Sequence, residues 1–296
     1  VAPGKVLIEP VITKATEVNF ENGDKIGFTM TKVNGAEAYA DNAALTFDGT
    51  VFSGDLKWYA DAYSEADVYA YYPYNANGTP TAYFVVEDQT DGIAKADLMA
   101  AVKKGVLPTP NAITMVFKHL MTKLVINIDN QSGAEVTGVE IGGCRLVTGL
   151  DISEMALTKY TDIVIEAEPL IKAYEATAGK VWQAIVIPDK AKLEIIVNLS
   201  NGKKITQPLA EMTLKSGGQY SINARLIQDN MIVSASGEIE NWTDEGEIGF
   251  DGEGTTEELP VEFTEYEGYF VYDGVEYKTV KLADGNTWMA ENLRFI

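Results

Sequence analysis

The stretch that decides the fold reads Asp67-Val68-Tyr69-Ala70-Tyr71-Tyr72-Pro73-Tyr74. Its β-branched and aromatic residues favour an extended strand, in which successive side chains point to opposite faces. One face would carry Val68, Ala70 and Tyr72, and the other Tyr69 and Tyr71. Neither set is polar enough to be left in water, so we predict that this strand lies inside a sheet. One face should pack in the core of a first β domain, and loops or a second domain should cover the other.

Pro73 sets the end of this strand. Proline has no N–H to donate to a neighbouring strand, and it holds the preceding residue in an extended conformation. We therefore predict that strand pairing stops here, where the chain turns into Asn75-Ala76-Asn77-Gly78.

Similar segments run through most of the 296 residues. They alternate in polarity or are β-branched, and Gly, Asn-Gly or Asp-Gly turns separate them, with no long stretch of helical periodicity. The pattern predicts an all-β protein. Two prolines that follow Gly105 interrupt regular structure, and we place a domain boundary there. The predicted organisation is a β-sandwich over residues 1–112, a second over 113–242, an acidic linker over 243–267 and the start of a C-terminal module over 268–296.

Composition argues against two classes of partner. The chain has 23 Lys and Arg against 44 Asp and Glu, a formal net charge of −21. This charge repels nucleic acid and anionic membrane surfaces, so we expect neither as a partner. No apolar run approaches the ~18–20 residues that span a bilayer, and the N-terminus lacks the features of a signal peptide. The chain is therefore either cytosolic or has lost an export signal.

The sequence gives little support for catalysis or a bound metal. The only histidine, His119, is predicted to be structural, and the only cysteine, Cys144, to be a small core residue without a disulfide. One Cys and one His cannot form a zinc cluster, and the acidic stretch from Asp244 to Glu253 lacks the spacing of a calcium loop. The paired carboxylates of a glycosidase stay an open alternative, because their separation depends on the fold. We expect no enzymatic activity and no cofactor.

Six fragments, in this order and spacing, resemble the fimbrillin-like pilins of Bacteroidales. They are Asn19–Phe28, Asp67–Tyr74, Asp97–Ala101, Phe117–Leu120, Ile185–Pro188 and Gly217–Tyr220. The resemblance implies two transthyretin-like (Greek-key) β-sandwich domains in tandem. It also implies export to the cell surface as a lipoprotein precursor, with a lipid anchor as the only membrane contact, and assembly into fimbriae with other fimbrial subunits.

Members of this family assemble by strand exchange, and the resemblance implies the same mode of assembly for this chain. A trypsin-like or arginine-specific protease removes an N-terminal segment, and the vacated groove accepts a strand from the next subunit through backbone hydrogen bonds and alternate side-chain pockets. The candidate leaving strand carries Val6, Leu7, Ile8, Val11 and Ile12, and the candidate donor strand carries Met231, Ile232, Val233 and Ala235. An equally good alternative is that both stretches are ordinary edge strands of their own domains.

The processing site departs from the family pattern. None of the three arginines, Arg145, Arg225 and Arg294, lies near the N-terminus. The candidate processing site is therefore Lys14-Ala15, and a site before Val1 is the alternative.

Near the C-terminus, Tyr272–Val280 and Gly285–Leu293 resemble the opening of the Fibrobacter succinogenes major paralogous domain, which occurs on exported surface proteins. A pilin with such an extra module is predicted to be a tip or accessory subunit.

A second hypothesis is a monomeric carbohydrate-binding surface lipoprotein that recognises host or bacterial glycans. Its sugar platforms would come from the four tryptophans, Trp58, Trp182, Trp242 and Trp288, which are otherwise core or edge residues.

Overall fold

The computed structural model describes residues 4–12, 20–33, 35, 38–159, 170–227 and 230–239, together with the backbone of four short strands between 264 and 289. The chain divides into two compact units, Val1–Gly249 and Phe250–Ile296. Strands dominate the described residues, and one turn of 3-10 helix spans Ala94–Ala96. The prediction of an all-β fold is confirmed.

Seven of the first eight strands form a closed barrel in the order β1-β4-β3-β2-β5-β7-β8. All neighbours in this barrel are antiparallel except β1 and β8, whose parallel pairing closes the ring. The hydrogen bonding of the predicted first sandwich is therefore continuous around its circumference. The eight strands are β1 (Lys5–Ile12), β2 (Lys25–Lys32), β3 (Ala38–Phe47), β4 (Phe52–Lys57), β5 (Ala66–Tyr72), β6 (Ala82–Phe84), β7 (Met99–Val106) and β8 (Ile113–His119).

The next thirteen strands build what we call the sandwich. Its larger sheets have the orders β14-β15-β9-β20-β21 and β13-β10-β17-β18, and their buried apolar residues share one core. Two smaller sheets, β12-β11-β6 and β16-β19, flank them. The strands are β9 (Thr122–Gln131), β10 (Val136–Gly142), β11 (Val147–Asp151), β12 (Ala156–Thr158), β13 (Ile171–Lys172), β14 (Tyr174–Thr177), β15 (Val181–Val186), β16 (Lys190–Ala191), β17 (Glu194–Leu199), β18 (Lys204–Pro208), β19 (Met212–Thr213), β20 (Gln219–Ile227) and β21 (Asn230–Ile239).

Strand β5 lies between the two cores, as its sequence predicts. Val68, Ala70 and Tyr72 are buried in the barrel core. Tyr71 is buried in the sandwich core, and Tyr69 packs against that core. The strand ends at Tyr72, immediately before Pro73. Both the two-sided burial and the position of the strand end are thus confirmed.

The side chains of the neighbouring strand β7 alternate between the same two cores. Met99 and Ala101 face the barrel core, whereas Ala100 and the preceding Leu98 face the sandwich core. Alternate residues of two adjacent strands therefore serve two cores, so β5 and β7 form a wall that the barrel and the sandwich share.

Between β5 and β7 the chain crosses onto the sandwich. Strand β6 pairs with β11, and Val85 belongs to the sandwich core. The buried side chain of Gln89 reaches the backbone of Ile185: its Nε2 donates to the carbonyl oxygen (2.8 Å), and its Oε1 accepts from the N–H (2.8 Å). The chain from β6 to Gln89, which lies within the predicted first domain of residues 1–112, thus packs on the sandwich.

The predicted boundary between residues 112 and 113 falls immediately before β8. This strand pairs with β7 and β1 of the barrel, and β9, which begins three residues after β8 ends, pairs with β15 and β20 of the sandwich. The change from barrel pairing to sandwich pairing therefore occurs at Leu120-Met121.

The second compact unit contains an antiparallel sheet in the order β22-β23-β24-β25. Tyr272 pairs with Val275, and the two residues between them, Asp273 and Gly274, lie outside the described residues. Its strands are β22 (Thr264–Tyr266), β23 (Tyr269–Tyr272), β24 (Val275–Lys281) and β25 (Thr287–Met289).

Gly27 of β2 provides a direct test of the shared wall. It lies opposite Tyr71, and a Cβ added to it would stand 2.1 Å from Cε1 of that ring. The ring cannot easily move, because its hydroxyl donates to Oδ1 of Asn42 (2.6 Å) and accepts from the N–H of Asn75 (3.2 Å). We expect Gly27→Ala to lower the free energy of unfolding by about 1–3 kcal/mol through overpacking.

Chemical denaturation measures this effect, with Gly138→Ala as the matched strand-glycine control. A Cβ at position 138 would meet only Nδ2 of Asn198, at 3.5 Å, so this variant should keep near wild-type stability. Equal stability of the two variants would contradict the close packing of Tyr71 on β2.

Candidate strand-exchange site

Strand β1 completes the barrel, and different parts of its length pair with its two neighbours, β4 and β8. Lys5, Leu7 and Ile8 pair with β4, with an irregularity between the first two, whereas Ile8 to Ile12 pair with β8. Only Ile8 has a partner on both sides. Pro10, which lacks an N–H, lies where pairing with β4 has already ended, so it breaks no bond on that side.

The side chains of the predicted leaving strand alternate between the core and solvent. Val6 and Ile8 are fully buried in the barrel core, and Ile12 packs against it. Leu7 is half-buried, and Val11 is 42% exposed beside the equally exposed Val116 of β8. The structure therefore gives only three of the five predicted residues an inward role.

An aromatic cluster lines the groove that β1 fills. Phe52 of β4 lies opposite Ile8, and Phe117 of β8 lies opposite Ile12; both rings are fully buried. Each packs edge-on against Phe20, with ring centroids 4.8 Å and 5.2 Å apart. Removal of β1 would thus leave an apolar groove with two unpaired strand edges, β4 and β8.

The predicted donor strand lies in β21, at one edge of its sheet. Its only strand partner among the described residues is β20, which pairs with it from Ile227↔Asn230 to Gln219↔Ile239. Met231 is buried, Val233 packs against the sandwich core and Ile232 is 59% exposed. Ala235 pairs with Ile222 of β20. In this chain β21 is thus an ordinary edge strand, and β1 is not.

The candidate processing site, Lys14-Ala15, lies outside the described residues, in the connection between β1 and β2. Cleavage there would separate β1 from the rest of the barrel without breaking a described strand.

A buried polar pair lies where β8 passes into the sandwich. Nδ1 of His119 is 2.6 Å from Oδ2 of Asp97, and both residues are almost fully buried. Oδ1 of Asp97 has no hydrogen-bond partner among the described atoms. The histidine is placed as the sequence predicts, but its partner is not apparent from sequence, because Asp97 resembles any polar residue before an apolar strand.

Burial is the main influence on the Asp97 carboxyl group. It raises the pKa of Asp97 above its ordinary 3.8, against the lowering effect of the charges of His119 and Lys123. Burial likewise raises the pKa of Cys144 to about 12, and this residue belongs to the sandwich core, as predicted.

Two of the four tryptophans cannot act as sugar platforms. Trp58 and Trp182 are at most 4% exposed, in the barrel and sandwich cores respectively. A Trp58→Ala substitution would therefore remove core packing rather than a sugar contact. The side chains of Trp242 and Trp288 lie outside the described residues.

The described part of the chain contains no group of three or more His, Cys, Asp or Glu side chains arranged to hold a metal ion. It also contains no helix that is long and apolar enough to cross a membrane.

Three solved structures share this fold. A candidate cell adhesion protein from Bacteroides ovatus has a TM-score of 0.67 at 21% identity, covering 83% of this chain and all of the other. One from Bacteroides uniformis has a TM-score of 0.63 at 23% identity, covering 81% and 98%. The tip fimbrial protein Mfa3 from Porphyromonas gingivalis, with a C-terminal truncation, has a TM-score of 0.50 at 8% identity, covering 80% and 99%. None of the curated proteins matches the chain.

A barrel and a sandwich that share one wall define an all-β protein, and the solved structures above have the same fold. The sequence model of the fimbrillin-like family matches residues 13–242, and the chain belongs to this family. The resemblance drawn from the sequence fragments is confirmed, and the family places the chain among the fimbrial and adhesion proteins of the bacterial cell surface.

The raised pKa of Asp97 predicts a pH-dependent stability. Above pH 3.8 the unfolded chain loses this proton while the folded chain keeps it, so the contribution of Asp97 to stability falls as pH rises through the folded pKa. We expect the stability of the wild type relative to Asp97→Asn, measured by urea denaturation, to fall as the pH is raised above 3.8.

Asp88→Asn is the control for this measurement. The hydroxyl of Thr90 and the side chain of Lys172 lower the pKa of exposed Asp88 to about 2, so its contribution should be constant above pH 4. A pH-independent difference between the wild type and Asp97→Asn would contradict the raised pKa.

Proposed function

We propose that the chain is a non-enzymatic structural or adhesive subunit of a surface fimbrium, assembled by exchange of β1 for a strand of a neighbouring subunit. The observation that carries this proposal is the position of β1. It fills an apolar groove but pairs with β4 over its first half and with β8 over its second half. Another extended segment with alternate apolar side chains could make the same bonds.

Burial of apolar side chains in this groove provides enough free energy to favour binding of such a segment. Full burial of a Val or Ile side chain stabilises by about 1.5–3 kcal/mol, so Val6 and Ile8 together contribute roughly 3–6 kcal/mol before ordering costs. Loss of β1 would also expose Phe52 and Phe117 to water. The vacant groove is thus unfavourable, and a replacement strand removes that cost.

Strand β21 has the features of a donor. It is ten residues long against eight for β1, and among the described strands only β20 is hydrogen-bonded to it, so its release would break pairing with that one strand. Met231 and Val233 already occupy an apolar core at the two-residue spacing that Val6 and Ile8 use in the barrel. Release of β21 would leave the edge of its own sheet open, so donation is favoured only when a vacant groove is present.

Removal of β1 requires a protease. Cleavage after Lys14 by a trypsin-like enzyme would leave β1 held only by non-covalent contacts. We place this step after export of a lipoprotein precursor, whose lipid anchor would be the membrane contact, as in the family pattern.

The C-terminal sheet favours a tip or accessory position in the fibre. Strand β21 is followed by a second compact unit, so its far end is tethered. A strand tethered at both ends is released less readily than a free chain end. The subunit should therefore occupy a groove-accepting position more often than it extends the fibre.

Strand exchange predicts that a peptide of residues 230–239 replaces β1 after cleavage. A specific protease site inserted after Lys14 allows the folded chain to be cut with β1 still in place. We expect the peptide to displace the 1–14 fragment at one copy per chain and to restore the thermal stability lost with the fragment. Mass spectrometry of the released fragment and a melting curve measure the two effects.

A peptide with Met231→Asp and Val233→Asp is the matched control, because it keeps the backbone bonds but places charges in the apolar pockets. The uncut chain is a second control, since its groove is filled. Equal displacement by the two peptides, or none by either, would show that the groove does not select this strand.

A further inference from the structure

An open groove lies between the outer face of the barrel and the sandwich. Thr29 of β2, Asp41 of β3 and Tyr69 of β5 form its barrel side, and Leu150 and Asp151 of β11 lie on its sandwich side. We call this cavity of about 620 Å³ the Tyr69 groove. Its volume lies in the range of sites that bind small molecules. None of its described lining residues belongs to β1 or β21.

The floor of the Tyr69 groove is apolar. Leu150 and Ile152 are buried members of the sandwich core, and the half-buried Tyr69 packs against that core. Burial raises the pKa of Tyr69 above its ordinary 10, and the negative charges of nearby carboxylates add to this effect. The hydroxyl of Tyr69 therefore keeps its proton and can donate it, while the ring offers an apolar surface on which a flat ligand can stack.

Two carboxylates are oriented at the polar sides of the groove. Oδ1 of Asp41 accepts from the hydroxyls of Thr29 (3.3 Å) and Thr79 (3.1 Å). Oδ1 of Asp151 accepts from the hydroxyl of Ser153 (2.7 Å). Within the described part of the chain these hydroxyls all donate to Oδ1, so Oδ2 of each aspartate can accept a further hydrogen bond from a ligand.

The backbone beside each aspartate is fixed in an unusual conformation. Among the described residues, two that are not glycine have φ in the left-handed region, Asn42 (49°) and Met155 (50°). Asn42 follows Asp41, and its N–H donates to Oγ1 of Thr29 (3.2 Å). Met155 ends the turn after β11, where its N–H donates to the carbonyl of Ile152 (3.2 Å). The polar groups of the groove are thus held in place before a ligand arrives, which reduces the entropic cost of binding.

The charge of the lining selects the class of ligand. No Lys, Arg or His is among the described residues that line the groove, so its two carboxylates repel an anion. Six of these residues carry a hydroxyl group: Thr29, Tyr69, Thr79, Thr81, Ser153 and Thr158. Hydroxyl groups both donate and accept hydrogen bonds, whereas an ammonium ion only donates. A neutral ligand with several hydroxyl groups therefore matches this lining better than an anion or a simple cation.

We propose that the Tyr69 groove is a binding site for a neutral pyranose sugar. One face of the sugar ring packs on Tyr69, and its hydroxyl groups donate to the carboxylates of Asp41 and Asp151. The aromatic platform is thus a tyrosine of the shared wall rather than a tryptophan. This inference goes beyond the proposed function, because the site is built without the two exchanged strands.

A titration with sugars of different charge tests the class of ligand. Saturation-transfer NMR on the uncut chain uses the methyl pyranosides of glucose, galactose and mannose, together with the amino-sugar and uronic acid counterpart of each. We expect at least one neutral sugar to bind, its uronic acid counterpart to bind at least tenfold more weakly, and its amino counterpart to bind no more tightly. Absence of binding by all three neutral sugars would overturn the proposal, and so would tighter binding of the amino sugars.

Substitutions at the two aspartates test the location of the site. We expect Asp41→Asn and Asp151→Asn each to weaken binding of the neutral sugar at least tenfold, because one charged acceptor is lost while an oxygen is kept for the hydroxyls already bound. Asp61→Asn is the matched control: Asp61 also accepts from a serine hydroxyl, that of Ser64, but does not line the groove. This control should change the affinity less than twofold.

A blocking variant separates loss of the site from loss of the fold. Thr81 is exposed at the groove, and its carbonyl accepts from the N–H of Leu150 (2.8 Å), a bond that does not need the side chain. Thr81→Trp should therefore fill the groove and abolish sugar binding with an unchanged melting temperature. Wild-type affinity in Thr81→Trp or in both aspartate variants would contradict the proposal.

A glycan array then identifies the source of the sugar. Host glycans that end in galactose and bacterial polysaccharides of glucose or mannose present the same neutral ring, and we expect the chain to bind one of these sets. The double variant with Asp41→Asn and Asp151→Asn should lose this binding, and retention of it would place the sugar elsewhere. Because the uncut chain is used throughout, a failure of strand exchange would leave these results unchanged.

Discussion

The burial of β5 on both faces is the constraint on which the rest of the structure depends. A strand with Val68, Ala70 and Tyr72 in one core and Tyr71 in another cannot be exposed on either side. The adjacent β7 follows the same alternation, so the barrel and the sandwich share a wall rather than meeting at a surface. Because neither core is complete without this wall, we expect the two to unfold together.

In the strand exchange that we propose, the terminal strands are the parts that can be replaced while the shared wall stays intact. β5 is hydrogen-bonded along its length to β2 and β7, whereas β1 is paired with each neighbour over only part of its length, and β21 has one strand partner among the described residues. Assembly by strand exchange needs a scaffold that survives the loss of an element. The crossing segment between β5 and β7 strengthens that scaffold, since β6 and Gln89 fasten it to the sandwich.

Local patterns in the sequence were sufficient for the fold class and for the role of β5. The alternating side chains of Asp67–Tyr74 and the missing N–H of Pro73 have their effects within a few residues, so both effects can be predicted from the local sequence. The interactions of Gln89 and Asp97 could not be predicted in the same way. Their partners, Ile185 and His119, lie 96 and 22 residues away. The crossing of residues 82–98 onto the sandwich also depends on which strands meet in space.

The candidate site was predictable in part. Sequence located both terminal strands, but it could not distinguish a strand that closes a barrel from one at a sheet edge, because both show alternating apolar residues. It also assigned Val11 and Leu7 to the leaving strand without separating them from the inward Val6 and Ile8. That distinction depends on the register with β4 and β8, which is set by long-range pairing.

Hydrogen exchange of the intact chain under native conditions tests the central claim most directly, because it measures the opening free energy of each strand separately. If β1 is a replaceable strand on a scaffold built around β5, amides of Leu7 to Ile12 should exchange through a local opening of low free energy. Amides of Val68 to Tyr71 should exchange only at the free energy of global unfolding. Equal opening free energies for β1 and β5 would contradict the account.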